Sequence, residues 1–307
     1  MHRFNKILSL LLVAALAASA CKSAGETREE NTETTSQTST EAGGDGDGDI
    51  TERMAREHEG DKPVASGAAE MTPARPVTGQ EVVYGKVDGA EVKGYLSMPE
   101  GADPATLPAL VVIHEWWGLN DNIRKMTDRL AGEGYVALAV DLYGGQSADT
   151  PDGAKKLMQG AMSAPEKANT NLNQAIAFLE GKKADKLGVI GWCFGGGWSL
   201  QTAIMAPGKI DAAVIYYGRV GVEKEQLAKI EAPILGVFGS EDQGIPVATV
   251  RTFEANLAEL GKSADITIYE GADHAFANPS GTHYEPEAAR SAWEKTRAFF
   301  AKNLKGG

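Results

Sequence analysis

From residue 79 onward the chain alternates short apolar runs with helical stretches, and that alternation leaves few folds open. EVVYGKV (81–87) and EVKGYLSMP (91–99) alternate apolar and polar residues on either side of Asp88-Gly89, the signal of a β-hairpin. LPALVVIHE (107–115) is a continuous apolar run, as expected of a strand buried on both faces. Strands are likewise predicted over 134–144, 186–192, 210–218, 232–240 and 264–271, with helices over 122–133, much of 152–181, 194–206, 246–260 and 284–303. Strands separated by helices give an α/β fold, a mostly parallel central sheet flanked by helices, with two antiparallel strands added first. In such sheets functional residues gather beyond the carboxyl ends of the strands. One folded domain, 79–305, is predicted, with no internal repeat.

The preceding residues cannot belong to that pattern. Residues 1–20, MHRFNKILSLLLVAALAASA, carry Arg3 and Lys6, then an apolar run from Ile7 to Ala18 broken by Ser9, then small residues. This is an export signal, too short for a spanning helix. Its ending, Ala18-Ser19-Ala20-Cys21, resembles the lipobox of bacterial lipoproteins, although leucine is usual where Ala18 stands. That resemblance implies lipidation of Cys21 and an exported, membrane-anchored protein of the bacterial cell envelope. Residues 22–75 contain no Phe, Trp or Tyr and hold 6 basic against 13 acidic residues. So little apolar surface cannot offset the entropy of ordering, and a disordered acidic tether is expected over 21–78. The chain as a whole carries a net charge of −12, which excludes the electrostatic footprint of a nucleic-acid binder. Of two cysteines, Cys21 is assigned to lipid, leaving Cys193 as a single thiol and ruling out a disulfide scaffold.

Cys193 lies in GWCFGGG (191–197), immediately after a predicted strand and before a predicted helix. Gly-x-Cys-x-Gly in that context matches the turn on which many hydrolases carry a nucleophile. Glycines at 191 and 195 let strand and helix approach closely, and the helix N-terminus favours a thiolate. A triad acid and base should follow in that chain order. Asp242 lies just past strand 232–240, and His274 just past strand 264–270. His274 would take the thiol proton while Asp242 fixes its tautomer. His283 in a polar loop, His58 in the tether, Glu241 and Asp273 are weaker competitors. Backbone N–H groups of Phe194 and Trp116 are the candidate oxyanion donors. Trp116, Trp117 and Tyr143 are assigned to the substrate pocket.

HEWWGLN (114–120), DLYGG (141–145), GWCFGG (191–196), FGSED (238–242) and DHAFAN (273–278) follow one another through the folded region. Together they resemble the dienelactone hydrolase family, a branch of the α/β hydrolases. The resemblance implies Cys193 as nucleophile, Asp242 as orienter and His274 as base. It implies that Glu115 lies near the thiol and keeps it neutral at rest. It requires no cofactor and no metal. Two departures weaken the link to dienelactone itself. Gly145 and Asn278 occupy the positions where family members hold a substrate carboxylate with arginines.

The function expected is therefore hydrolysis of a small ester, lactone or thioester, with the membrane anchor at Cys21 and a small-molecule substrate as the only partners, and a monomer favoured. The alternative is a non-catalytic surface lipoprotein that uses the fold for binding, and three intact triad residues argue against it. A redox thiol would lack a resolving cysteine.

Overall fold

Asp88 and Gly89 both have positive φ, 51° and 81°, the conformation of a two-residue turn whose twist matches paired strands. They join β1 (Val77–Val87) to β2 (Ala90–Pro99) in an antiparallel register that closes at Val87 opposite Ala90. The computed structural model describes residues 47–63 and 72–306. The export signal and Cys21 lie outside the described residues.

Six further strands complete an eight-stranded sheet: β3 (Ala109–Ile113), β4 (Val136–Val140), β5 (Leu187–Trp192), β6 (Ala212–Tyr216), β7 (Ile234–Gly239) and β8 (Ala264–Tyr269). Their order is β1-β2-β4-β3-β5-β6-β7-β8, antiparallel as far as the β2–β4 pair and parallel beyond it. Every residue of β3, β4, β5, β6 and β7 is buried, so both faces are covered and strands such as Ala-Leu-Val-Val-Ile need no polar face. The helices between and after these strands are α2 (Asp121–Gly132), α3 (Pro151–Met162), α4 (Pro165–Glu180), α5 (Phe194–Met205), α6 (Lys224–Leu227), α7 (Val247–Glu259) and α8 (Pro286–Leu304). This is the predicted architecture. The broad helical stretch 152–181 is two helices, because Pro165 opens a second one. The short α6 was not expected.

One departure is larger. Residues Asp47–Glu57, expected within a disordered tether, form helix α1. Thr51, Met54 and His58 lie three and four residues apart and are buried, as is Asp61. They form one helical stripe and its continuation. Gln159 of α3 donates to the Thr51 hydroxyl at 3.3 Å, and Lys155 of α3 pairs with Glu52. Asp61 accepts from the backbone N–H of Thr282 at 2.7 Å and from its hydroxyl. Composition missed this helix because the apolar surface it covers belongs to the domain, not to the segment. Among the described residues, no helix is long and apolar enough to cross a membrane.

The close packing of the sheet around β5 yields a direct test. A Cβ on Gly195 would lie 2.4 Å from the carbonyl oxygen of Ile113, a backbone atom that cannot swing away. Gly195→Ala should destabilise the fold by about 1–3 kcal/mol, measured as a fall in the urea midpoint at unchanged slope. An unchanged midpoint would mean that β3 and α5 are not held at this distance.

Candidate active site

The chain turns from β5 into α5 at Cys193, whose φ of 54° and ψ of −117° are unusual for a residue with a side chain. Such a conformation costs on the order of 1–3 kcal/mol and persists only where its surroundings over-determine it. Here they do. The Cys193 N–H donates to the Tyr216 carbonyl at 3.0 Å, and its carbonyl accepts from Gly196 and Gly197 at 3.0 and 3.2 Å. A Cβ on Gly191 would meet the Gly195 carbonyl oxygen at 2.1 Å, so glycine is required there. The turn lifts the thiol beyond the strand end and sets it before the first N–H groups of α5. The N–H of Phe194, the first residue of α5, has no partner within the helix and remains available to an oxyanion.

The other two predicted triad residues meet at the same sheet edge. Asp242 lies past β7, where its Oδ1 accepts from the Ile245 N–H at 2.7 Å. Its Oδ2 accepts from Nδ1 of His274, past β8, at 2.8 Å, and both side chains are fully buried. That bond leaves His274 Nε2 as the free nitrogen, buried and without a hydrogen-bond partner among the described residues. Donor atoms of Cys193 and His274 lie within 4.8 Å of each other. Glu115 follows β3, 3 % exposed, and its Oε2 accepts from Asn278 Nδ2 at 3.0 Å. Asn278 is oriented in turn by the N–H and hydroxyl of Ser280, at 2.9 and 2.8 Å, which its Oδ1 accepts. The residue standing in place of a family arginine thus serves to hold Glu115. At the other departure, Gly145 has φ 87°, a backbone in which an arginine would be strained.

The structure adds residues that the sequence reading set aside. His58, fully buried, places its Nε2 3.7 Å from Cys193 Sγ, while its Nδ1 donates to Asp61 Oδ2 at 2.8 Å. Met54 Sδ lies 3.9 Å from the same sulfur. The thiol is therefore flanked by two carboxylate-oriented imidazoles, whose rings stand 5.3 Å apart and nearly perpendicular. The signal was present as the spacing of Thr51, Met54, His58 and Asp61, hidden in a segment without aromatic residues.

His58 also alters the predicted pocket. Its ring stacks on Trp116 at 4.6 Å and meets Trp117 edge-on, so both tryptophans are sealed beneath α1's end. Tyr143 packs its ring against His114 and Phe194. None of the three lines the cavity of about 520 Å3 into which Cys193 opens. That cavity is walled instead by Met54, Met158, Trp198, Tyr217, Arg219 and Ile245, among others.

Burial pushes the Cys193 thiol up, but the imidazoles of His274 and His58 outweigh it and bring it down to about 6. Burial opposes charge on His274 too, yet Asp242 and the Cys193 sulfur hold it well above its ordinary value. The resting pair is thus thiolate and imidazolium near neutrality. Burial, then the thiolate itself, pushes Glu115 up to about 8. Burial and a thiolate beside it both favour the neutral Glu115, the opposite direction to the anionic Glu115 that the resemblance implies.

A model of the dienelactone hydrolase family matches residues 92–304. Protein usf of Aquifex pyrophilus is 35% identical over 234 residues, covering 74% of this chain and 99% of its own. A protein of Aquifex aeolicus (strain VF5) named "Putative carboxymethylenebutenolidase" is 33% identical over 235 residues, covering 74% and 100%. Among solved structures, that of a "Putative Dienelactone Hydrolase" from Klebsiella pneumoniae subsp. pneumoniae MGH 78578 superposes with a TM-score of 0.67 at 28% identity, covering 74% of this chain and 100% of that one. The matched span begins at Val92, so Met54, His58 and Asp61 fall outside it.

The charge state of the site is testable by alkylation. Iodoacetamide labelling of Cys193 should rise as pH rises through about 6, where the thiolate forms, and level off below pH 8. Glu115→Gln should label like the wild type at pH 7, since glutamine mimics the protonated carboxyl, and should diverge only above about pH 8. Markedly faster labelling of Glu115→Gln at pH 7 would restore an anionic Glu115 at rest.

Proposed function

Because the chain belongs to the dienelactone hydrolase family, we propose that it hydrolyses small esters or lactones through Cys193, with His274 as acid–base and Asp242 as its orienter. The observation that carries this reading is the strained turn that sets a buried thiol before a helix N-terminus, beside an imidazole held by a carboxylate.

In the proposed cycle the Cys193 thiolate attacks the substrate carbonyl carbon. A C–S bond forms, and the carbonyl π electrons move onto oxygen, where the N–H groups of Phe194 and Trp116 receive them. Collapse expels the alkoxide, which takes a proton from the His274 imidazolium and leaves a thioester. Neutral His274 then removes a proton from water as the hydroxide oxygen attacks the thioester carbon. The second collapse expels the thiolate and releases a carboxylic acid, which ionises in water. Asp242 stabilises the imidazolium throughout.

Arg219 lies past β6, lines the cavity that contains Cys193, and offers a cation to a substrate carboxylate. A panel of neutral aryl esters and carboxylate-bearing lactones tests both parts of the reading. His274→Ala should lower turnover on every substrate by about 10²- to 10⁴-fold. Arg219→Ala should raise KM about tenfold to a hundredfold for the carboxylate-bearing lactones alone, the scale of one charge-assisted hydrogen bond. Wild-type turnover in His274→Ala would remove that residue from the mechanism, and a KM effect shared by neutral esters would remove Arg219 from carboxylate recognition. A chain that binds lactones without turning any over would favour the binding-module alternative.

Cys21 is proposed to carry the lipid that anchors the enzyme in the cell envelope, on the strength of the basic start, apolar run and small residues before it. Cys21→Ala should move the protein from the membrane fraction to the soluble one. Continued membrane association would assign the anchoring elsewhere.

A further inference from the structure

Two histidines bring their Nε2 atoms near one sulfur, and their carboxylate partners fix them in that orientation. A carboxylate only accepts, so Asp61 holds the proton on His58 Nδ1 and Asp242 holds the proton on His274 Nδ1. Each Nε2 is then the ring nitrogen left toward the sulfur, and it offers a lone pair when it is not protonated. Donor atoms of His58, Cys193 and His274 all lie within 4.8 Å of one another, and all three residues are buried. His274 Nε2 has no hydrogen-bond partner among the described residues. Once the proton of the thiolate–imidazolium pair leaves, one thiolate and two imidazole nitrogens converge on a single point, an arrangement that a cation can occupy.

The group also has the features of a metal centre. A histidine ligand almost always donates its second ring N–H to a carboxylate or carbonyl, which raises its basicity and fixes its orientation. Both rings do so here, at 2.8 Å. Around a tetrahedral ion with metal–sulfur distances of about 2.3 Å and metal–nitrogen distances of about 2.0–2.1 Å, donors stand about 3.3–3.8 Å apart. His58 Nε2 is 3.7 Å from Cys193 Sγ, and Met54 Sδ is 3.9 Å from it. The remaining closure is at most about 1.5 Å, a side-chain adjustment. Met54 and Cys193 both face the 520 Å3 cavity, which gives an ion a route in.

We propose that His58, Cys193 and His274, with Met54 as a weaker fourth donor, form a binding site for a thiophilic late transition-metal ion, copper in preference to zinc. One thiolate, one thioether and two imidazoles are a soft set that suits copper, whereas zinc draws little from a thioether. The proton held by the Cys193–His274 pair leaves to solvent as the ion binds. The ion takes up both the nucleophile and the base of the proposed hydrolase, so metal binding and ester cleavage exclude each other at this site. The metal site rests on the donors themselves, and its test is a spectrum and an affinity rather than turnover.

The experiment titrates the purified full chain with Co2+ under anaerobic conditions. One equivalent should produce a near-ultraviolet thiolate-to-cobalt charge-transfer band and the intense visible bands of a tetrahedral ion. Cys193→Ser should abolish the charge-transfer band. Asp61→Asn, which keeps the shape of the site, should weaken binding about 10- to 100-fold, and His58→Ala at least as much. Met54→Leu should weaken Cu+ binding, measured against a chromophoric chelator, while leaving Zn2+ affinity nearly unchanged. Far-UV circular dichroism reports whether each variant folds, and Asp61→Asn decides the matter if His58→Ala does not. Absence of the charge-transfer band at stoichiometric Co2+ would overturn the proposal. So would wild-type affinity in folded His58→Ala or in Asp61→Asn, since the donors would then be the Cys193–His274 pair alone. A Met54→Leu variant with undiminished Cu+ affinity would overturn the preference for copper.

Discussion

Everything at the reactive end of the sheet depends on the backbone contact between β5 and the start of α5. The contact is made by glycines because no side chain fits. Gly191 faces the Gly195 carbonyl, Gly195 lies against the carbonyls of Ile113 and His114, and Gly196 lies against Gly218 beyond β6. These approaches hold Cys193 at a positive φ that an isolated chain would leave, and they use the central strands β3, β5 and β6 as the clamp. The thiol is therefore fixed by the most deeply buried part of the fold. The groups beside it arrive from the loops past β3, β7 and β8, each with its own anchor. Asp242 is tied to Ile245, Glu115 to Asn278, and Asn278 to Ser280.

Charge in the site follows from that burial. Four titratable groups, Cys193, His274, Glu115 and His58, are buried close together, and they cannot all be charged. Attraction between thiolate and imidazolium is large at low dielectric and resolves most of the competition. Once the sulfur is negative, a second anion beside it is disfavoured, so Glu115 keeps its proton to about pH 8. Asp61 behaves oppositely. Burial raises it, but hydrogen bonds from His58 and Thr282 dominate and lower it to about 2, so it remains an anion for His58 to lean on.

The sheet was legible because its signals are local. Asp88-Gly89 demands its turn, and uninterrupted apolar runs such as 109–113 can only be strands covered on both faces. Cys193, Asp242 and His274 were legible because each lies directly past a strand whose end the sequence marks. What stayed hidden depends on surfaces that meet only in three dimensions. Helix α1 has too little apolar content to fold by itself, and its burial is conferred by α3 and by the rim of the site. The tryptophans at 116 and 117 were assigned to the pocket, and the arrival of His58 covers them. The protonation of Glu115 is a matter of desolvation, which no spacing reveals.

Helix α1 gives the protein a second hold on the Cys193 thiol. A segment that precedes the family-matched region brings a histidine with its own carboxylate, and a thioether, to a thiol that already has a histidine and a carboxylate. Bonds that attach it include Asp61 to Thr282, Thr51 to Gln159 and Glu52 to Lys155, the last of them solvent-exposed and therefore weak. Burial of Met54 and His58 must supply the rest, and that burial is made on the reactive centre itself. Local stability in proteins falls where buried apolar contacts are few. Release of α1 would uncover Trp116 and strip the thiol of one imidazole. An ion bound between His58 and His274 would tie that element down, so the metal and the conformation of α1 would be thermodynamically linked.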